Sequence, residues 1–289
     1  MADPGTPLRL IIVSGLSGSG KSIAIHTLED LGFYCVDNLP LGLLPQFAIE
    51  ARNSKMRQNY AIGIDARNLS PSLSDFPDLL ESLRQQQIEC EVVFLDADDN
   101  TLIKRYSETR RRHPLGGREL PLAEAIGEER LRLDAIASCS HLRIDTSRTN
   151  IHQLRALVGK LIEDGSDQLT LLFESFGYKY GIPVDADFVF DLRCLPNPYW
   201  EPRLRELAGT DGAVGNYLEG HPQAIRMYND LHAFLDYWIA HFAADNRRYL
   251  TVAFGCTGGQ HRSVWMVERI AAAFHHSYRK VLTRHREIT

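Results

Sequence analysis

The segment Gly15-Leu16-Ser17-Gly18-Ser19-Gly20-Lys21-Ser22 matches the pattern G-x-x-x-x-G-K-[ST]. Apolar, branched residues precede it at 8–14, and the run at 23–31 that follows it suits a helix ended by Gly32. A strand, a glycine-rich loop and a helix in this order distinguish a phosphate-binding loop from a turn that only packs a helix on a strand. The glycines allow backbone N–H groups to turn towards an anion, and the positive end of the helix dipole favours negative charge there. We therefore predict that residues 15–22 bind a nucleotide, with Lys21 reaching its β and γ phosphates and Ser22 holding a magnesium ion.

Length and composition predict a globular protein of about two domains. The chain has 289 residues, of which 44% are hydrophobic and 24% charged, and its net charge of -5 gives no general attraction to nucleic acid. Its five cysteines are scattered, odd in number and without C-x-x-C spacing, which argues against a disulfide framework and a zinc site. The first residues show no secretory signal, and no apolar run approaches the length that spans a membrane. These observations predict a cytoplasmic protein.

Strands and helices alternate through the first half of the chain. Apolar runs at 33–36, 60–64, 91–95 and 142–146 follow the first strand, and runs that suit helices separate them. Such alternation predicts an α/β fold in which helices cover both faces of a parallel sheet. We assign an N-terminal P-loop NTPase or kinase-like domain to residues 1–164 and a smaller α/β C-terminal domain to residues 165–289.

Polar residues follow the predicted strands, at the edge of the sheet where parallel α/β proteins bind their ligands. Asp37 follows the second strand, where it either contacts the magnesium shell or an acceptor, or caps the next helix. Asp96 follows the fourth strand and is the candidate for a carboxylate that orders magnesium through water. The next run contains four arginines that either close over the phosphates or form a solvated helix face: Arg105, Arg110, Arg111 and Arg112.

A second strand, glycine loop and helix occur at 249–274. The loop reads Cys256-Thr257-Gly258-Gly259-Gln260-His261-Arg262-Ser263, and the same backbone argument predicts that it binds an anion. Its C-x-x-x-x-x-R-[ST] spacing is also that of tyrosine-type phosphatases, in which a cysteine attacks a phosphate held by the arginine. We favour a phosphometabolite pocket, with Arg262 and backbone N–H groups as ligands and Cys256 as a small buried residue. A Cys-dependent phosphatase is the alternative.

The C-terminal run at 275–286 is basic and contains interleaved aromatic residues, although the chain as a whole is acidic. This local asymmetry suits the phosphate backbone of RNA, and an ordinary cationic helix end is the alternative. The candidate RNA-binding residues are Arg279, Lys280, Arg284 and Arg286.

Together with the two glycine loops, further stretches of the chain resemble the RapZ family, which includes YvcJ-like nucleotide-binding proteins and RNase adapter proteins. The resemblance covers nearly the whole length. It rests on residues 15–22 and 255–264 and on the stretches Tyr34-Cys35-Val36-Asp37-Asn38-Leu39-Pro40, Asp65-Ala66-Arg67-Asn68, Phe94-Leu95-Asp96-Ala97, Thr109-Arg110-Arg111-Arg112-His113-Pro114-Leu115 and Phe173-Glu174-Ser175-Phe176-Gly177-Tyr178-Lys179-Tyr180-Gly181. The phosphate loop alone fits many enzymes, whereas its combination with the stretches of the second half is specific.

The resemblance implies an activity and a set of cofactors. Family members bind and slowly hydrolyse ATP and GTP. The loop at 15–22 is therefore expected to bind ATP, and GTP is expected at Asp65, Ala66, Arg67 and Asn68. On this expectation Lys21 and Ser22 are the catalytic residues of a weak, regulatory ATPase or GTPase, with Mg2+ held by Ser22 and Asp96. A small-molecule kinase of the P-loop class is the alternative.

The resemblance also implies partners. Members from enteric bacteria bind small regulatory RNAs and present one to an endoribonuclease, which adjusts glucosamine-6-phosphate synthase. Their second domain senses glucosamine-6-phosphate and assembles the protein into a tetramer. The residues that would line the sugar-phosphate site here are Asp191, Arg193, Thr257, Gly258, Gly259, His261 and Arg262. Tyr199 departs from the family pattern, in which this position carries histidine.

Overall fold

The structure is a computed structural model that describes residues 9–54, 59–67, 73–86, 88, 90–109, 112–116, 120–162, 169–244, 247 and 249–288. Three residues singled out from the sequence, Asn68, Arg110 and Arg111, lie outside the described residues. The chain divides into two compact units, Met1–Gly165 and Ser166–Thr289. Among the described residues, no helix is both long enough and apolar enough to cross a lipid bilayer.

A five-stranded parallel sheet forms the centre of the first unit. In chain order its strands are β1 (Leu10–Gly15), β2 (Tyr34–Val36), β3 (Tyr60–Gly63), β4 (Cys90–Asp96) and β5 (Leu142–Asp145). They lie side by side in the order β2-β3-β1-β4-β5, and every pair is parallel. The helices that connect and follow them are α1 (Lys21–Asp30), α2 (Leu44–Asn53), α3 (Phe76–Gln85), α4 (Asp99–Thr109), α5 (Leu122–Ser138) and α6 (Ile151–Ile162). The predicted α/β fold with a parallel sheet is confirmed.

The central position of β1 follows from its composition. All six of its residues are buried, and Leu10, Ile11, Ile12 and Val13 are each 0% exposed. A strand covered on both faces has no polar face to turn to water, which is why it reads as a continuous apolar run. Because β1 is parallel to both of its neighbours, its carboxyl end meets those of β3 and β4 at one edge of the sheet. The loop at 15–22 begins at that edge.

A four-stranded parallel sheet forms the centre of the second unit. Its strands are β6 (Thr170–Gly177), β7 (Phe188–Asp191), β8 (Tyr249–Cys256) and β9 (Lys280–His285), in the order β7-β8-β6-β9. Its helices are α7 (Gly212–Glu219), α8 (Pro222–Ala244) and α9 (Arg262–Phe274). Phe173 and Phe254 of the strands pack with Met266 and Phe274 of α9 in one apolar core. The smaller α/β domain predicted for the second half is therefore present.

The basic C-terminal run forms part of this sheet. Residues Lys280–His285 are strand β9, which pairs with β6 so that Leu171 lies opposite Val281. Val281 is buried in the core of the unit. The alternative, an ordinary cationic helix end, is therefore wrong, because residues 280–285 pair as a strand and Val281 is buried.

Candidate functional site

The first candidate site is the loop between β1 and α1, whose path depends on glycine. Gly15 has a φ of +151°, and a Cβ there would lie 2.3 Å from the backbone oxygen of Leu95 in β4. Gly20 has a φ of +102°, and a Cβ there would lie 2.5 Å from the side chain of Leu154 in α6. Glycine takes up these positions without strain, so the loop passes close to β4 and α6 and turns directly into α1.

This loop leaves backbone donors at the start of α1. Within the described residues, the N–H groups of Gly18, Gly20, Lys21 and Ser22 donate to no protein acceptor, and no side chain caps the helix. A cavity of about 810 Å³ lies over these groups and is lined by residues 16–23. Unpaired donors at a helix N-terminus attract anions, so the geometry suits a chain of phosphates.

The Lys21 side chain lies in the cavity between two carboxylates. Its Nζ is 3.2 Å from Oδ1 of Asp37 and 3.1 Å from Oδ2 of Asp65. Asp65 also accepts hydrogen bonds from Arg67: its Oδ1 from the backbone N–H at 3.0 Å, and its Oδ2 from Nε at 3.0 Å and from Nη2 at 2.5 Å. Burial opposes ionisation of Asp65, but the bonds from Arg67 and the charge of Lys21 outweigh it and hold the carboxyl pKa below its ordinary value. Lys21 is thus positioned by carboxylates that a triphosphate can replace as its partners.

The two segments that the resemblance assigns to ATP and to GTP meet at one cavity. Asp65 and Arg67 line the same cavity as the loop at 15–22. Ala66 is 3% exposed and offers no side-chain group to a ligand. The described residues of both segments therefore line one cavity.

Asp96 is placed differently from the sequence prediction. Its Oδ1 is 2.8 Å from Nη1 of Arg130, and its Oδ2 is 2.7 Å from Nη2 of Arg143. The residue is 2% exposed and does not line the cavity. The assignment of magnesium to Asp96 is corrected on this ground, because two guanidinium groups occupy both carboxylate oxygens. The carboxylates that do line the cavity beside the loop are those of Asp37 and Asp65.

The oxygen donors at the cavity fit a magnesium ion. The exposed hydroxyl of Ser22 lies in the first turn of α1, and Asp37 and Asp65 line the cavity with it. Hydroxyl and carboxylate oxygens are ligands that Mg2+ prefers. In the part of the chain that the structure describes, no group of three or more His, Cys, Asp or Glu side chains is arranged to hold a metal ion. An ion at this cavity therefore needs phosphate oxygens and water as further ligands.

A buried hydrogen-bonded chain supports the loop. Glu129 of α5 is 0% exposed, and its two carboxylate oxygens accept the Ser17 N–H at 2.9 Å and the Ser17 hydroxyl at 2.6 Å. Nε2 of His113 is 3.1 Å from Oε2 of Glu129, and the Leu115 N–H donates to Nδ1 of His113 at 3.2 Å. Since Nδ1 accepts a hydrogen bond, Nε2 carries the ring proton and donates to Glu129. Residues 113–115 are in this way connected to the phosphate loop.

Arg105 supports the loop from α4. Its guanidinium group donates to the backbone oxygen of Gly18 at 2.9 Å and to the backbone oxygen of Thr146 at 2.6 Å. Burial lowers the pKa of Arg105 below its ordinary value, although nearby carboxylates oppose this effect. Arg105 is therefore held by carbonyl groups and orders the loop. Arg112 lines the same cavity with an exposed side chain, from which it can approach a phosphate.

The second candidate site is the loop between β8 and α9, and Arg262 is its central side chain. The residue is 3% exposed, and its Nη1 donates to the backbone oxygens of Arg193 and Leu195, each at 3.0 Å. Nη2 donates to Oγ1 of Thr257 at 3.3 Å, and the buried Nε has no hydrogen-bond partner in the described chain. Nε and Nη2 form one edge of the guanidinium group. That edge lies beside Thr257, and its N–H groups can donate to an oxyanion.

Backbone donors and a thiol complete this loop. Of the described residues, Gly258, Gln260, His261 and Arg262 have N–H groups that donate to no protein acceptor. Sγ of Cys256 accepts the Gly259 N–H at 3.2 Å and lies 3.2 Å from Oγ of Ser263. Cys256, Gly259 and Ser263, at the start, middle and end of the loop, are therefore joined at the Cys256 sulfur.

The end of β6 packs against this loop. A Cβ on Gly177 would lie 2.7 Å from the carbonyl carbon of Gly258, so glycine is needed for the close approach. The Lys179 N–H donates to the backbone oxygen of Thr257 at 3.3 Å, and its ammonium group lies 3.9 Å from the position of a Cβ on Gly258. Lys179 is thus a cation beside the loop that was not among the predicted site residues. The motif at 173–181 contained it, but its spacing to residue 257 gave no signal.

The other predicted metabolite residues surround the same loop. Asp191 and Arg193 form a two-pronged ion pair at 2.7 and 3.0 Å, and the Arg193 guanidinium lies 3.9 Å from the ring centre of Tyr178. Hydrogen bonding from Arg193 is the main cause that holds the pKa of Asp191 below its ordinary value. Nε2 of His261 donates to the backbone oxygen of Leu204 at 3.1 Å, so this ring is anchored by the protein and contributes its backbone N–H to the loop.

Two of the four predicted RNA-binding residues are turned inward. Arg284 lies opposite Glu174 in the β6–β9 pairing, and its Nη1 is 3.5 Å from Oε2 of Glu174 and 3.6 Å from Oδ2 of Asp185. Nε and Nη1 of Arg286 are shielded from solvent. The assignment of Arg284 to RNA is corrected, because its charge is paired with carboxylates of the unit, whereas that of Arg286 stays a prediction. Arg279 is exposed and Lys280 is half-buried.

A glycine loop that joins the central strand of a parallel sheet to a helix defines the class of P-loop proteins, and this chain adds a second α/β unit with its own helix-terminal loop. Two family models match it, the RapZ-like N-terminal domain at residues 8–165 and the RapZ C-terminal domain at residues 169–289. The chain belongs to the RapZ family.

Relatives match along nearly the whole chain. A nucleotide-binding protein from Nitrosococcus oceani is 54% identical over 283 residues, which cover 98% of this chain and 100% of that protein. A nucleotide-binding protein from Thioalkalivibrio sulfidiphilus is 51% identical over 286 residues, with 98% and 100% covered. Among solved structures, a sugar kinase from Janibacter is 17% identical with a TM-score of 0.37, over 53% of this chain and 93% of that one. A likeness at that score carries no argument about function.

Proposed function

We propose that this protein binds a nucleoside triphosphate with Mg2+ in its first unit and a phosphorylated amino sugar in its second. It would act as an RNase adapter that adjusts small-RNA processing in amino-sugar synthesis. The observation that carries the nucleotide part is the placement of Lys21 and four unpaired N–H groups at one cavity. Membership of the RapZ family and relatives named as nucleotide-binding proteins support the same proposal.

The residues of the first cavity have separate roles in this proposal. The N–H groups of the loop bind the β phosphate, and Lys21 exchanges a carboxylate partner for phosphate oxygens. Ser22, Asp37 and Asp65 would hold Mg2+, which neutralises charge on the β and γ phosphates. Asp65 is occupied by Lys21 and Arg67, whereas the Asp37 side chain is 47% exposed and can orient a water molecule. A site in which one of the two carboxylates is exposed supports slow hydrolysis of ATP and GTP and a regulatory use of the nucleotide.

Calorimetric titration of Mg2+ and ATP into the full chain tests the nucleotide part. We expect one binding event, which GTP competes for, because the described residues of both predicted segments line one cavity. Lys21→Ala should weaken binding about 10- to 100-fold, since a hydrogen bond to a charged group contributes about 1.5–3 kcal/mol. Lys160→Ala is the matched control, because Lys160 is exposed on α6 and does not line the cavity. Equal affinities for the two variants contradict the proposal.

The second ligand is proposed from the geometry at Arg262, and the partners are proposed from family membership. The Nε–Nη2 edge of Arg262 and the unpaired N–H groups beside it suit a phosphate such as that of glucosamine-6-phosphate. Arg193, whose carbonyl accepts from Arg262, and its ion-pair partner Asp191 can hydrogen-bond sugar hydroxyl and amino groups. A small regulatory RNA, an endoribonuclease partner, a tetrameric assembly and a cytoplasmic location are proposed from family membership.

A small-molecule kinase is the second candidate. The observation that favours it is the exposed carboxylate of Asp37 beside Lys21, in a cavity of about 810 Å³. That position suits a base for an acceptor hydroxyl. Product analysis distinguishes the two candidates, because a kinase transfers the γ phosphate to an added sugar or nucleoside, and the proposed regulator releases it only to water.

A further inference from the structure

We propose that Cys256 is a nucleophile and that the loop at 256–263 hydrolyses phosphate monoesters through a phosphoryl group carried on its sulfur. The inference rests on the proposed anion site of the second unit and goes beyond ligand sensing. It assigns to that site a chemical step, with aryl phosphates and other monoesters of acidic leaving groups as the substrate class.

The first support is the position of the sulfur inside the loop. Sγ of Cys256 is 3.2 Å from the Gly259 nitrogen and 3.2 Å from Oγ of Ser263, and the residue is 2% exposed. The loop is therefore wrapped around the sulfur. A tetrahedral anion that accepts the N–H groups of Gly258 and Gln260, on either side of Gly259, would lie next to this atom.

The second support is the guanidinium group of Arg262, which is independent of the thiol. Its Nη1 is fixed by two backbone oxygens, while the buried Nε has no hydrogen-bond partner among the described residues. An arginine that is 3% exposed with an unpartnered donor beside Thr257 points to an oxyanion as its missing partner. The Nε and Nη2 donors of Arg262 would hold the non-bridging oxygens of a phosphate while the sulfur attacks.

The chemical step can be written with its atoms in balance. The thiol first loses its proton to water, and the Gly259 N–H and the Ser263 hydroxyl then both donate to the thiolate. Sγ attacks phosphorus, an S–P bond forms, the ester P–O bond breaks, and the leaving oxygen takes a proton from water. A water molecule then attacks phosphorus, the S–P bond breaks, and inorganic phosphate and the thiolate are released.

The surroundings of the loop restrict the leaving group. Two carboxylates of described residues lie near the loop: Asp191, which Arg193 holds as an ionised partner, and Glu287, whose buried Oε2 would be 2.3 Å from a Cβ on Gly259. As an ionised group, Asp191 does not protonate a leaving alkoxide. Esters whose alcohol is acidic, such as aryl phosphates, need no such proton and are the expected substrates, and simple sugar phosphates are expected to bind without being cleaved.

The test uses the full chain and p-nitrophenyl phosphate. Wild type should release p-nitrophenol, and Cys256→Ser should lower turnover by roughly 10³-fold or more, as the removal of a catalytic nucleophile does in other enzymes. Ser263→Ala should lower it about 10- to 100-fold, because a hydrogen bond to the charged sulfur is lost. Cys139→Ser is the matched control with unchanged turnover, since Cys139 is a free cysteine of the first unit. Mass spectrometry of acid-quenched wild type should find a phosphoryl group on the peptide that contains Cys256.

Binding of inorganic phosphate to wild type and Cys256→Ser separates the failure of this inference from that of the proposed function. If both proteins bind phosphate but turnover is equal, or no phosphoryl adduct forms on wild type, the nucleophile is overturned and the sensing site remains. If neither binds phosphate, the anion site falls and the inference with it. Should Cys256→Ser not fold, the adduct on wild type and the turnover of Ser263→Ala decide the outcome alone.

Discussion

Residues of the first-unit cavity hold one another in place through charge. Lys21 contacts Asp37 and Asp65, and Asp65 in turn contacts Arg67. In the proposed function a triphosphate brings several negative charges to the same place, so Lys21 can leave its carboxylates without losing its electrostatic partner. The carboxylates are then available to magnesium. The cavity is thus arranged for an exchange of partners at one ammonium group.

Replacement of Asp65 by Asn should destabilise the first unit by on the order of 2 kcal/mol at neutral pH, because Lys21 and Arg67 lose an ionised acceptor. The folded-state pKa of Asp65 lies below its ordinary value of 3.8, so this stabilisation is fully present above that value. It is lost as the pH falls through the folded-state pKa. Urea unfolding of wild type and Asp65→Asn, followed by circular dichroism from neutral to acidic pH, measures the difference.

Tryptophan fluorescence supplies the control for this experiment. All three tryptophans, at 200, 238 and 265, belong to the second unit. Their unfolding transition should be the same in both proteins at every pH. A difference in stability that grows as the pH falls would contradict the assigned role of Asp65.

Secondary-structure elements that are distant in the sequence determine how the phosphate loop is held. The loop after β1 is bonded to Glu129 of α5 and, through it, to His113. Arg105 of α4 bonds the same loop at Gly18. Two helices, α4 and α5, therefore support the loop by hydrogen bonds to Gly18 and Ser17.

Glu129→Gln should both destabilise the protein and weaken nucleotide binding. The amide offers one oxygen where the carboxylate accepts three donors, so buried donors lose a partner at a cost of about 1–3 kcal/mol each. Glu128→Gln is the matched control, because Glu128 is an exposed neighbour whose pair with Arg132 is worth less than about 1 kcal/mol. Thermal unfolding and ATP titration of both variants give the comparison, and similar losses in the two would argue against the support role.

The sequence predicted those elements whose signals are local. A strand, a glycine loop and a helix are adjacent in the chain, so residues 15–22 and 256–263 were found from spacing alone. The role of Glu129 was not found, because its contact with Ser17 joins residues that are 112 positions apart. Asp96 was assigned to magnesium because a carboxylate after a strand has the same sequence signal whether it faces a ligand or a guanidinium group. Arg284 was assigned to RNA for a similar reason, since its pairing with Glu174 depends on the register of β6 and β9.

The whole molecule combines an acidic net charge with local basic sites. The net charge of -5 repels nucleic acid, so RNA binding needs local cations that solvent reaches. Arg279 is exposed, Lys280 and Arg286 are half-buried, and Arg284 is paired with carboxylates within the unit. RNA affinity at this tail is therefore expected to be modest and strongly dependent on salt.

Removal of both cations in Arg279→Gln/Lys280→Gln should weaken RNA binding at low salt. It should lower the slope of log affinity against log salt by about one for each lost phosphate contact. Filter binding of a small RNA over a range of salt concentrations measures the slope. Arg226→Gln is the control, because Arg226 is a 78% exposed side chain on α8 and lies outside the tail. An unchanged slope in the double variant would show that Arg279 and Lys280 do not contact the RNA.

The central claim is that two helix-terminal glycine loops bind two different phosphorylated ligands. A crystal structure of the full chain with Mg2+, a non-hydrolysable ATP analogue and glucosamine-6-phosphate tests it most directly. We expect the β phosphate within hydrogen-bonding distance of the N–H groups of Gly20 and Lys21, and the sugar phosphate at the Nε–Nη2 edge of Arg262. Triphosphate density away from residues 18–22, or a sugar phosphate that leaves residues 257–262 without a ligand, would contradict it.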